Sequence, residues 1–429
     1  MDKKKLIVQF NEANFDLIEK YCVKYNFLSL KKILSLVKLK TSSEEKYKHL
    51  EPWIQWYSFY TGLSYEEHQT FNLGDCLKKE HKNFIEDYAK KNKKVSIFSA
   101  MNLKPSKYFS TYIPDPWTES ESIGSKIDKL VSSNLRNVVN ENASLSLSLK
   151  DITGLFFLVG LPRNISDIKL TLSALISFLR KERSSLAAQF DYFISKYALR
   201  RTMKDNSDLS LIFLNGLAHI QHHYFLNSEF VAGKNPAWYS NGDDDIYKAL
   251  KIYDQTFAQI FKYIKKYNYE IWIITGLTQK EYPEPFCYWR FKNHKELISN
   301  FTNIEFDIFP RMTRDFEVKS NKENIHFFED FLKNSTIVNN GIENKAFLNV
   351  NKTSENTIFA SFAHNTSSKK VSLNYNNKNI CLENELNFIA LKNAGHTQSG
   401  WAFTNRDQNK IKNDSHLNIW DLNKVIMDN

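Results

Sequence analysis

A rhythm of short apolar runs constrains this chain more than any other feature. Runs 6–10, 95–99, 209–214 and 271–275 are rich in β-branched and aromatic residues, and helical periodicity occupies 15–25, 83–91 and 245–266 between them. Uninterrupted apolar runs of this length read as strands buried on both faces, and their alternation with amphipathic helices predicts a mostly parallel sheet covered on both sides. The expected fold class is therefore α/β, with a mostly parallel central sheet flanked by helices. In such sheets ligands bind beyond the carboxyl ends of the strands, so the residues that follow each run are where a site is sought.

Two regions depart from this rhythm. Residues 119–205 carry long helical patterns (127–138, 168–183, 185–197) and few strand signals, and are expected to form a helical insertion covering the ligand edge like a lid. From 316 onward, alternating segments at 346–350, 357–362, 370–375 and 386–391 predict antiparallel strands at the margin of the main sheet. The expected organisation is thus 1–118 and 206–315 as two parts of one core, 119–205 as the insertion and 316–429 as a C-terminal part with antiparallel strands.

Composition excludes several classes. With 42% apolar and 25% charged residues, the 429-residue chain can bury a core, and 12 Gly and 9 Pro argue against a fibrous or low-complexity architecture. The net charge of +10 is spread over stretches such as 90–94 (KKNKK) that alternate with acidic ones. These read as solvated faces: the excess suits an anionic substrate, and no nucleic-acid partner is expected. Cys22, Cys76, Cys287 and Cys381 lie far apart, which supports neither a zinc knuckle nor a disulfide framework. The apolar stretch at 6–10 is too short for a signal peptide, and the longest span candidate, 154–161, ends in Pro162 and Arg163. A cytoplasmic protein without a membrane span is expected.

Polar residues follow the apolar runs: Asn11 and Glu12 after the first, Asn215 and a histidine cluster after the third, and Thr275 to Gln279 after the fourth. Gly395 and His396 stand near the end. His219, His222 and His223 fall within five positions. On a helix, His219 shares a face with His222 (i, i+3) and His223 (i, i+4), a spacing at which neutral imidazoles can bind one divalent metal or donate protons to an anion. Helix-capping or core imidazoles bonded to backbone are the alternative. The lone His68 reads as structural.

In order and spacing, these elements resemble the alkaline phosphatase superfamily, in its type I phosphodiesterase/nucleotide pyrophosphatase branch. Trp56-Tyr57-Ser58-Phe59-Tyr60-Thr61-Gly62 with His68 following, then His222, then Gly395-His396, carry the resemblance, which runs the length of the chain with a helical insertion in its middle. It implies an α/β phosphodiesterase- or phosphatase-like hydrolase or transferase acting on a phosphoryl- or sulfuryl-type group of a small or glycan-linked anionic substrate. The chain also departs from that pattern. The first metal Asp of the family falls on Asn11, with Glu12 in the place of a Gly, and its nucleophilic Thr falls on Pro52. The Asp four residues before the metal His falls on Ala218, and the Asp-His pair of the fourth motif falls on Gly276 and Leu277. Hard cations need anionic oxygen that these residues cannot supply, so a second metal position is not expected.

What remains is one metal on His219, His222 and His396 with Glu12, or none. Three nitrogens and one oxygen suit zinc, and manganese is the other candidate. Glu12 or Glu51 would handle the proton. Thr61 offers a hydroxyl at a position that is structural in the family. In a metal-free transferase, Asn11, His222 and His396 would bind the anion by hydrogen bonding. Trp53 and Trp56, with Trp289 and Trp401, are candidates to line a pocket for a sugar or base ring, and Arg290 for bidentate contact with a phosphate or sulfate. A non-catalytic protein of the same fold that binds an anionic ligand or partner is the alternative function. The sequence leaves the oligomeric state open.

Overall fold

The computed structural model describes residues 3–140, 165–179, 183–231, 244–311, 314–407, 409, 411, 413 and 415–428. They fall into two compact units: Met1–Glu281 with Ala394–Asn429, and Tyr282–Asn393.

The first unit is built on an eight-stranded sheet. Its strands are β1 (Lys5–Phe10), β2 (Val37–Ser42), β3 (Val95–Ala100), β4 (Thr111–Pro114), β5 (Leu209–Leu214), β6 (Glu270–Ile274), and two late arrivals, Ser399–Thr404 and His416–Asn418. From one edge the order is His416–Asn418, β2, Ser399–Thr404, β6, β1, β5, β3, β4. Only Ser399–Thr404 runs against its neighbours. Along β1 the side chains alternate: Leu6, Val8 and Phe10 enter one apolar core and Ile7 the other. Both faces are thus dry, which is why the strand reads as a continuous apolar run. Helices Phe15–Tyr25, Arg183–Asp205, Gly216–Tyr224 and Asp245–Tyr267 contribute to the first core, and Pro52–Thr61, Phe84–Ala89 and Leu422–Met427 to the second. This mostly parallel sheet with helices on both faces, accompanied by small antiparallel sheets, is the architecture expected from the sequence.

Two expectations change. Helix Arg183–Asp205 packs against Gly216–Tyr224 and Asp245–Tyr267. It buries Ala188, Tyr192, Phe193, Tyr197, Ala198 and Leu199 in the first core, so this part of the expected insertion belongs to the sheet's helical layer and is no lid. The span candidate 154–161 lies outside the described residues, and among those described no helix is long and apolar enough to cross a membrane.

The second correction concerns the tail. Most of its alternating segments do not line the main sheet; they build the second unit, and the expected boundary at 316 falls inside it. One four-stranded antiparallel sheet has the order Ile342–Lys345, Thr336–Asn339, Val371–Tyr375, Lys378–Cys381. The other has the order Phe347–Ser354, Thr357–Phe362, Asp315–Lys319, Asp307–Pro310. Phe316, Phe331, Phe347 and Phe362 are buried within this unit, beside helix Ile325–Asn334. The chain passes between the units along Thr278–Phe291 and returns along Leu386–Thr397, two strands paired with each other.

Candidate metal and catalytic site

β6, β1 and β5 are neighbours at the centre of the sheet, so the residues just past their carboxyl ends meet. Asn11 and Glu12 follow β1, Asn215 follows β5, and Thr275 follows β6. The antiparallel strand Ser399–Thr404 pairs with β6 and begins at this same edge, which brings His396 there. The backbone approach is close: a Cβ on Gly400 would collide with the Gly276 carbonyl oxygen. Here only glycine allows the tail to return beside β6.

Glu12 occupies the centre. Its backbone is left-handed, with φ at 57°, a conformation that costs a residue with a Cβ roughly 1–2 kcal/mol. Both of its peptide groups are pinned there. Its N–H donates to the Thr275 carbonyl at 2.9 Å, and its carbonyl accepts from Gln221 Nε2 at 2.8 Å. The carboxylate is also held: Asn11 Nδ2 donates to Oε1 at 3.0 Å, and Gln279 Nε2 donates to Oε2. Asn11 is fixed in turn by Trp56 Nε1, which donates to its Oδ1 at 2.8 Å, and by Asn215 Oδ1, which accepts from its Nδ2 at 2.8 Å. Gln279 Nε2 also reaches the Ala218 carbonyl at 3.0 Å.

Two imidazoles close on this carboxylate. His222 Nε2 stands 3.0 Å from Glu12 Oε2, His396 Nε2 stands 3.1 Å from the same oxygen, and the two nitrogens are 3.2 Å apart. The side chains of Glu12, His396 and His222 are 3%, 8% and 17% exposed. His222 Nδ1 faces the Ala394 carbonyl at 3.1 Å. A carbonyl only accepts, so Nδ1 carries a proton; Nε2 turns a lone pair inward when the ring is neutral and donates to Glu12 when it is charged. Burial alone would raise the Glu12 carboxyl, but His396 and His222 beside it hold it well below the usual carboxylate range. An anionic oxygen and an inward lone pair 3.0 Å apart repel one another unless a proton or a cation lies between them.

The spacing suits a cation. Ligand atoms roughly 2.0–2.1 Å from one ion stand about 2.9 Å apart at right angles and about 3.3 Å apart at the tetrahedral angle. The three separations here, 3.0, 3.1 and 3.2 Å, lie in that window. Among the described residues, Glu12, His222 and His396 are the group of His, Cys, Asp or Glu side chains that could hold a metal ion.

The other candidates sort clearly. Glu51 precedes helix Pro52–Thr61, and its Oε2 lies 3.7 Å from His396 Nδ1, with the side chain 34% exposed. His219 does not join the group; it is exposed and packs on His223. Thr61 ends the helix whose start holds Glu51, and its hydroxyl donates to the Tyr57 carbonyl at 2.9 Å, four residues back on its own helix. Trp56 is fully buried and serves as the clamp on Asn11, not as a ring platform. Trp53 donates its indole N–H to the Phe71 carbonyl at 2.8 Å. Trp289 and Arg290 belong to the second unit, where burial lowers the Arg290 pKa against the opposing pull of Asp315. Trp401 lies under the Lys38 ammonium at 3.9 Å from its centroid. His68 is buried and satisfied: its Nδ1 accepts from the Thr70 N–H, so Nε2–H donates to Ser58 Oγ at 2.9 Å, and burial lowers its pKa to about 4. Ser58 and His68 are therefore no nucleophile–base pair, because the base carries its proton on the wrong nitrogen. Sequence reasoning placed Gln279 among the polar residues after the fourth apolar run but gave neither it nor Gln221 a role in the site.

No family model and no curated protein sequence matches the chain. Among solved structures it is similar to phosphonoacetate hydrolase from Sinorhizobium meliloti 1021 in complex with phosphonoformate, at 9% identity and a TM-score of 0.42 over 98% of this chain and 94% of that one. It is also similar to an inactive variant of murine ectonucleotide pyrophosphatase/phosphodiesterase 5 in complex with AMP (12% identity, TM-score 0.38, 99% and 94% covered). A third is TAB5 alkaline phosphatase (10% identity, TM-score 0.39, 100% and 98% covered). Likenesses this distant carry no inference about chemistry.

Proposed function

We propose that the protein is a hydrolase or transferase for a phosphoryl- or sulfuryl-type group of an anionic small or glycan-linked substrate, working with one divalent cation on Glu12, His222 and His396. The observation that carries this reading is the meeting of Glu12 Oε2 and two imidazole Nε2 atoms within 3.2 Å of one another at the carboxyl edge of the sheet. Two nitrogens and one carboxylate oxygen favour zinc over manganese, and hard cations such as magnesium least. When bound, such an ion polarises a phosphoryl or sulfuryl oxygen and lowers the pKa of water.

The chain's own residues supply position and proton traffic. Asn11 and Gln279 keep the Glu12 carboxylate aimed, so no reorganisation is needed when the ligand set is used. The Ala394 carbonyl fixes the His222 tautomer. Glu51, part-exposed and 3.7 Å from His396 Nδ1, is within ion-pair reach but beyond a direct hydrogen bond. It serves as the group that exchanges a proton with solvent and, through the charge of its carboxylate, favours a proton on His396 Nδ1. The nucleophile is water, since the Thr61 hydroxyl is directed into its own helix. That same feature favours a second reading, in which the site binds an anionic ligand without turnover.

The test is metal analysis of the purified full-length protein alongside His222→Ala. Close to one equivalent of zinc in the wild type and loss of it in the variant is the expected result; equal metal in both overturns the reading. Activity on phosphodiester, phosphomonoester and sulfate ester substrates with zinc supplied then separates turnover from binding alone.

A further inference from the structure

Asn215 stands between β5 and helix Gly216–Tyr224 as the N-cap of that helix, and its carbonyl accepts the His219 N–H at 3.2 Å. An asparagine in this position ordinarily turns its side-chain oxygen back onto the N–H of the second or third helical residue. Asn215 makes no such bond. Its Oδ1 accepts from Asn11 Nδ2 at 2.8 Å, and the same Nδ2 donates to Glu12 Oε1 at 3.0 Å. The capping side chain is used to hold the site.

The start of the helix is covered from two other helices. The Gly216 N–H donates to Asp191 Oδ2 at 2.7 Å, and the Asn215 N–H donates to the same carboxylate. The Leu217 N–H donates to the Tyr253 hydroxyl, which in turn donates to Asp191 Oδ2 at 2.5 Å. Asp191 lies on helix Arg183–Asp205 and Tyr253 on helix Asp245–Tyr267, and both are buried. The approach is close: a Cβ on Gly216 would stand 2.4 Å from the Ala187 carbonyl oxygen and 2.8 Å from the Tyr253 hydroxyl. Three consecutive N–H groups that no carbonyl of the helix can take are thereby satisfied without the Asn215 side chain.

We infer that Asp191 and Tyr253 are positioning residues for the Glu12 carboxylate: they cap helix Gly216–Tyr224 in place of Asn215, which leaves the Asn215 side chain free to hold Asn11, and Asn11 to hold Glu12. The physical reason is competition. A buried N–H without an acceptor is costly, and the group that ordinarily covers the Leu217 N–H is the N-cap side chain. Without Asp191 and Tyr253, Asn215 turns back onto its own helix and lets go of Asn11. The inference rests on the proposed function, because zinc on Glu12, His222 and His396 is what makes the position of Glu12 measurable.

The test is a double-mutant cycle on the full-length protein, read as zinc affinity by competition with a chromophoric chelator. It runs at pH 8, above the value of about 7 to which burial pushes the Asp191 carboxyl. Asn215→Ala releases Asn11 and should lower affinity about tenfold, as for a lost outer partner of a ligand. Tyr253→Phe, which keeps the ring that packs on Phe10, and Asp191→Ala should each lower it by a similar factor. Added to Asn215→Ala, neither should cost anything further, because the side chain they would divert is gone. Losses that multiply overturn the inference, since a merely structural pair weakens the site whatever stands at 215. Tyr253→Phe decides the matter alone if Asp191→Ala does not fold. A wild type that takes up no zinc overturns the proposed function and this inference with it; zinc affinity that the Asp191 and Tyr253 variants leave unchanged overturns this inference alone.

Discussion

Glu12 is the residue on which the site turns, and it is held by amides. Where a carboxylate lies beside two imidazoles, the neutral donors Asn11 and Gln279 satisfy its oxygens without adding charge. Replacing Gln279 by Leu keeps the volume roughly constant and removes one donor, so zinc affinity should fall about 10–100-fold, as for other lost outer partners of a ligand, measured by competition with a chromophoric chelator. An unchanged affinity would mean that Gln279 plays no part in positioning. From the sequence, Glu12 was legible as a polar residue just past a buried strand. The choice between His219 and His222 was not, because both lie on one helical face and only the rotation of that face against β1 decides which ring turns inward. Gln221 and Gln279 were hidden for another reason: an amide announces no chemistry until its partner is seen.

At the scale of elements, the start of helix Gly216–Tyr224 is capped from outside. Asp191, on helix Arg183–Asp205, accepts the Gly216 N–H at 2.7 Å and the Tyr253 hydroxyl at 2.5 Å. Burial is the larger influence and pushes its carboxyl up to about 7, against the pull of Tyr253 and the backbone N–H groups. Because the folded pKa lies above the unfolded one, folding takes up a proton at this group between about pH 4 and 7. Its contribution is complete below pH 4 and is lost as the pH rises through 7. Asp191→Asn should therefore cancel a stability difference on the order of a few kcal/mol. Urea unfolding of wild type and variant at pH 5 and pH 7.5 checks this; the wild type should gain relative to the variant at the lower pH, and parallel curves would refute the assignment.

For the molecule as a whole, the period of the apolar runs was enough to expect a parallel sheet with both faces covered, and Leu6, Ile7, Val8 and Phe10 show why: alternate residues feed opposite cores. The division of the chain was not legible. The strands Thr278–Phe291 and Leu386–Thr397 continue through the boundary between units, so neither composition nor a turn marks it. These strands pair with each other, and Thr278 Oγ1 lies 2.8 Å from Thr397 Oγ1 near their base. Joining Glu281 to Ala394 through a short glycine-containing turn should therefore leave a chain that folds cooperatively and, on the proposed reading, keeps its zinc, as calorimetry and thermal unfolding would show; an unfolded product would mean that the first unit depends on the second. The crowding of three donors around a point the size of an ion has a last practical consequence. On the proposed reading such a site selects by affinity, with copper and zinc outcompeting manganese at equal supply. On that reading the occupant follows supply as well as affinity, so a preparation has to be stripped and reloaded with one defined metal before its activity is compared.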